Sequence, residues 1–199
     1  MVRKVMVDVG LNRTRSCTGA VVGESRSPAF RIGEELCEQL EQMGFETLFS
    51  GNVPELAERE ESAGRPAACA AIAARWRADC VVRLCIRAAE TPNDGSANAM
   101  VYRRPSGSWQ LADSILRSVE DGSELRAGDI RQTTGVVLLR RTPCPSVILI
   151  LRLPFRQKEH LTDDEVSEYG LSIAKGIYEW AQTVGKGKNT YRCYSPRSI

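Results

Sequence analysis

The sequence predicts an α/β domain, a three-layer sandwich in which a largely parallel, twisted sheet is flanked by helices. Short apolar runs alternate with longer stretches of helical periodicity along the chain, the pattern that strand–helix units produce. A length of 199 residues with 42% hydrophobic content suits one compact domain with a real core. There is no internal repeat. The α/β domain is expected over residues 1–185, followed by a polar C-terminal tail, 186–199.

Val5, Val7 and Val9 alternate on one face of a first strand, Val2 to Val9, that stops at Gly10. Leu11 to Arg26 is polar and irregular. Ser27-Pro28 opens a helix, because proline fits its first position, and Gly44 ends it. A short strand is expected over Phe45 to Ser50. Arg65-Pro66 starts an alanine-rich helix that runs to about Ala78. Cys80 to Ile86 reads as a strongly apolar strand and Ala99 to Arg103 as another. A third helix covers Ser106 to Val119. Strands are expected at Val136 to Leu139 and Ser146 to Leu153. Thr162-Asp-Asp-Glu165 is a capping box opening a final helix through Trp180 to about Val184.

Charge and composition narrow the function classes. Lys and Arg number 27 against 25 Asp and Glu, a net charge of +2, so nothing electrostatic favours nucleic acid or an anionic membrane. No 18-residue apolar run is present to span a bilayer. Met1 to Gly10 lacks the apolar core of an export signal, so cytoplasmic synthesis is expected. Seven cysteines, Cys17, Cys37, Cys69, Cys80, Cys85, Cys144 and Cys193, form no C-x-x-C pair and read as buried, reduced thiols. His160 is the single histidine. Any histidine-based mechanism must use it, and a His-rich metal centre is excluded.

In open α/β sheets, sites gather beyond the carboxyl ends of strands. Those ends are Gly10 to Arg15, Cys85 to Glu90 and Leu151 to Phe155, and none carries a glycine-rich phosphate fingerprint. Gly185-Lys-Gly-Lys188 follows a helix and lacks the hydroxyl residue of a P-loop.

Several short motifs do recur in a familiar order: Asp8-Val-Gly10, Gly19-Ala20, Glu24, Leu56-x-x-Arg59 and Ala78-Asp79 before an apolar strand. Val101-Tyr102, Leu111-Ala112, Leu138-Leu-Arg-Arg-Thr142-x-x-Pro145-Ser-Val147 and Ala174-x-x-Ile177-x-x-Trp180 follow. Together, over residues 3–183, they resemble the zinc-dependent N-acetylmuramoyl-L-alanine amidases of the phage-endolysin and sporulation type. The resemblance implies an amidase/phosphorylase-like sandwich and, as family chemistry, hydrolysis of the MurNAc–L-Ala amide of cell-wall peptidoglycan.

That family binds zinc through two histidines and a glutamate, and a second glutamate acts as general base on the metal-bound water. Mapped onto this chain, the first histidine position is Leu11, next to Asn12. Glu24 is the ligand that survives, and the second histidine falls on Cys85. The base falls on Ile150, or on Arg152 if the strand is two residues longer. His160 replaces none of these. Glu24 and Cys85 are the residual ligand candidates, and a bound zinc is not expected. Without the base, the resemblance implies a domain that binds peptidoglycan fragments or a protein partner. An active amidase with relocated ligands is the alternative.

On the strand from Cys80 the odd positions Val81, Arg83, Cys85 and Arg87 share the face that carries the site in the family. Two readings stay open. Either Arg83 or Arg87 pairs with Glu24, a guanidinium standing where the zinc charge was, or both arginines snorkel to solvent.

Overall fold

A computed structural model describes residues 2–9, 27–57, 64–91, 95–103, 106–154 and 161–186. Six described strands form one sheet in the order β2-β1-β3-β6-β4-β5. They are β1 (Lys4–Val9), β2 (Glu46–Phe49), β3 (Cys80–Ala88), β4 (Ser96–Val101), β5 (Arg126–Gln132) and β6 (Ser146–Leu153). Every neighbouring pair is parallel except β4 against β6.

Three long helices cover one face: α1 (Pro28–Gln42), α4 (Gly107–Gly122) and α6 (Asp163–Lys186). They bury Val5, Val7 and Val9 of β1, Val82, Leu84 and Ile86 of β3, and Val147, Leu149 and Leu151 of β6. The opposite face is covered at its lower end by α3 (Arg65–Trp76) and α5 (Val137–Arg141), which enclose Met6, Cys69, Val81 and Leu138. A short α2 (Pro54–Ala57) precedes α3. The result is the expected three-layer sandwich.

Local chemistry sets the helix ends. Ser27 Oγ accepts a hydrogen bond from Phe30 N at 3.3 Å, and Pro28 occupies the first turn, where a missing N–H costs nothing. Gly44 takes φ +87° just past α1, a left-handed conformation glycine adopts without strain. Ser106 caps α4 in the same way through Trp109 N at 3.2 Å. The Thr162 box closes reciprocally: Glu165 N donates to Thr162 Oγ1 at 3.2 Å, and Thr162 N donates to Glu165 Oε2 at 2.8 Å.

Three details differ from the expectation. Val136 to Leu139 is not a strand; Val137–Arg141 forms a short helix whose Leu138 packs against the α3 layer. Arg126–Gln132, not anticipated from the sequence, is the edge strand β5. The strand expected at Ala99 to Arg103 begins three residues earlier and ends at Val101. The tail 187–199 and His160 lie outside the described residues.

Candidate functional site

The parallel register decides which side chains meet. Asp8 of β1 pairs with Arg83 of β3, and Arg83 with Ile148 of β6. One pleat further on, Cys85 pairs with Ile150 and Ile150 with Asn98 of β4; a further pleat joins Arg87 to Arg152 and Arg152 to Ser96. Paired residues share a face. Asp8, Arg83, Cys85, Arg87, Ile150 and Arg152 therefore line one surface, opposite the long helices.

At the bottom of this surface sits a buried charge cluster. Asp8 is 0% exposed, Arg65 1% and Arg83 8%. Arg83 Nη1 lies 3.4 Å from Asp8 Oδ2, and Arg65 Nη2 lies 3.7 Å from Asp8 Oδ1. Arg65 is the first residue of α3, which places its guanidinium beneath the ends of two elements. There it donates to Leu56 O at 2.5 Å and Val9 O at 3.3 Å. Neither carboxylate oxygen of Asp8 accepts a hydrogen bond from the described residues. One buried carboxylate faces two guanidinium groups in a dry interior, where charges act strongly on their neighbours.

The thiols beside it respond. Burial pushes the Cys69 thiol well up, and the Asp8 carboxylate adds to the rise. Burial also raises Cys85, although Arg83 and Arg87 pull against it. Cys85 is therefore a protonated thiol at neutral pH, a weak nucleophile and a weak ligand.

Toward solvent the surface opens. Arg87 is exposed, with no ion pair to a described residue. Arg152, half-buried, pairs with the carboxylate of Glu90 in the segment after β3. Cys85, Ile150 and Asn98 are half-buried between these arginines and the buried cluster.

The expected site residues thus divide. Arg83, Cys85, Arg87, Ile150 and Arg152 come together as the register requires. Leu11, Asn12 and Glu24 lie outside the described residues. Arg83 does not snorkel to solvent: it is buried and ion-paired to Asp8. Arg87 does reach solvent. Asp8 and Arg65 belong to the site but were not foreseen in it. The available signal was Asp8 itself, a lone carboxylate inside the apolar run Val5 to Val9.

Zinc requires three donors around an open position. Of the mapped positions that are described, Ile150 and Arg152 offer no donor, and Cys85 offers a protonated thiol beside a guanidinium. Among the described residues no three His, Cys, Asp or Glu side chains are grouped to hold a metal ion. These residues do not fit zinc.

No protein-family model and no curated protein matches the sequence. Solved structures do match in fold. The chain is similar to N-acetylmuramoyl-L-alanine amidase AmiC2 of Nostoc punctiforme, with 18% identity, TM-score 0.66, and 90% of this chain and 97% of that one covered. It is similar to the CwlD amidase of Clostridioides difficile, solved in complex with the GerS lipoprotein, at 14% identity and TM-score 0.67, covering 91% and 99%. The catalytic domain of an endolysin targeting Clostridia difficile matches at 11% identity and TM-score 0.65, covering 89% and 97%.

Proposed function

We propose that this chain, which has the fold of the N-acetylmuramoyl-L-alanine amidases over nearly its whole length, is an amidase-like domain without amidase catalysis, whose surface around Cys85, Arg87 and Arg152 binds peptidoglycan fragments. One observation carries this reading: the strand positions that would hold a ligand and the general base bear Cys85 and Ile150 or Arg152, above the buried Asp8–Arg65–Arg83 cluster. Amide hydrolysis needs a group that can take a proton from water. Isoleucine has none, and a guanidinium stays protonated throughout the working pH range. Arg87 and Arg152 on the same surface also disfavour a bound metal cation and favour an anionic ligand.

The test uses the full chain with purified peptidoglycan sacculi, with and without added zinc. The protein pellets with sacculi, retains zinc well below one equivalent after dialysis, and frees no new L-alanine amino groups. Zinc-dependent release of amino groups that disappears in Glu24→Ala would overturn the proposal and establish an active hydrolase.

A further inference from the structure

Arg87 and Arg152 stand directly opposite each other on adjacent parallel strands, on the same face. Neighbouring strands lie about 4.8 Å apart, so the two arginine side chains leave the sheet from adjacent positions. Like charges facing across strands are destabilising. Arg152 is offset by Glu90, but Arg87 has no acidic partner among the described residues. Beneath them lies the buried Asp8–Arg65–Arg83 cluster. The half-buried Cys85 and Ile150 between the two levels form an apolar shelf.

We infer that the Arg87–Arg152 pair is a carboxylate-binding site, taking an acidic group of the ligand at the solvent end of this sheet surface. This rests on the reading of that surface as a binding surface and names the ligand chemistry it selects. The chain itself supplies a precedent for a carboxylate: the Glu90 side chain already sits on Arg152. Guanidinium forks match the planar, two-oxygen geometry of a carboxylate. Glu90 is highly exposed and follows the strand end, so it fills the position a ligand carboxylate takes and competes with it. The adjacent Arg87 is the open half of the pair.

The experiment titrates the full chain with glutarate, its uncharged dimethyl ester and inorganic phosphate, followed by amide chemical shifts. Glutarate binds, the ester does not, and phosphate binds at least about tenfold more weakly. Arg87→Gln weakens glutarate binding about tenfold or more, the scale of one charge-assisted contact. Arg87→Lys, which keeps the charge but loses the fork, falls between. Glu90→Gln tightens binding by removing the internal competitor. Arg117→Gln, an arginine of α4 paired with Asp113, leaves it unchanged. Because Arg87 is exposed, its variants keep the fold, which circular dichroism checks.

Equal binding of the ester, equal binding of phosphate, or an Arg87→Gln variant that binds as well as the parent would each overturn the inference. Its failure is separable from that of the function proposed above. Glutarate binding without pelleting on sacculi refutes only the peptidoglycan reading. Pelleting without glutarate binding refutes only the carboxylate site.

Discussion

Arg83 Nη1 lies 3.4 Å from Asp8 Oδ2 in the protein interior, the two residues being register partners on adjacent parallel strands. Arg65 approaches the other carboxylate oxygen, so Asp8 is the shared counter-charge of two buried guanidinium groups. Removing the carboxylate takes an ion-pair partner from both buried arginines. Asp8→Ala is expected to destabilise the fold by about 3–5 kcal/mol. At about 2–4 °C per kcal/mol for a domain of this size, the melting temperature falls by roughly 10 °C. The double variant Asp8→Leu/Arg83→Met recovers part of that loss, because it removes a stranded charge along with its partner. A double variant no more stable than Asp8→Ala would show that the pair is not coupled.

The buried thiols predict an alkaline weakness. Burial pushes Cys37 up to about 12, and Cys69, Cys80 and Cys85 are raised for the same principal reason. In the unfolded chain a thiol ionises near 8.5. The folded state therefore holds more protons above that pH, and stability falls as pH rises from about 9 toward 12, with no effect at neutral pH. Urea unfolding at pH 8, 9 and 10 checks this. Cys37→Ala is expected to flatten the slope by up to about 1.4 kcal/mol per pH unit in that window. An unchanged slope would refute the assignment.

Helix α6 crosses α4 at a glycine. A Cβ added to Gly176 would lie 2.6 Å from Ile115 Cα and 2.8 Å from Ser114 O, both backbone atoms that cannot rotate away. Gly176→Ala is expected to cost about 1–3 kcal/mol, the usual cost of overpacking. Gly135, where an added Cβ meets nothing within 4 Å, serves as the control, and Gly135→Ala leaves the melting temperature essentially unchanged.

The capping box gives the mildest prediction. Thr162→Ala removes the acceptor for Glu165 N and costs about 1 kcal/mol, a fall of about 2–4 °C in melting temperature. Glu165→Gln keeps the reciprocal bond to Thr162 N and loses less than Thr162→Ala.

Much of the fold was legible because its punctuation is local. Ser27-Pro28, Ser106 and Thr162 mark helix starts through bonds to residues three positions on, and Gly44 marks a stop through its own backbone. The misread segments have tertiary causes. Arg126–Gln132 carries charges on an edge strand, where an apolar run is unnecessary and charge deters pairing with other chains. Val136 to Leu139 is a short apolar run whose periodicity cannot separate strand from helix; packing of Leu138 against the α3 layer decided it.

The sequence by itself determined the α/β class, the helix caps and the face shared by Arg83, Cys85 and Arg87, since these follow from the 3.6 and 2.0 periodicities of neighbouring residues. Only the tertiary structure decided what that face holds. Arg83 found Asp8, Arg65 joined them from the start of α3, and Arg87 came to stand beside Arg152. Parallel strands are joined by long crossovers, so their register is fixed by packing between distant segments, and local spacing along the chain contains no record of it.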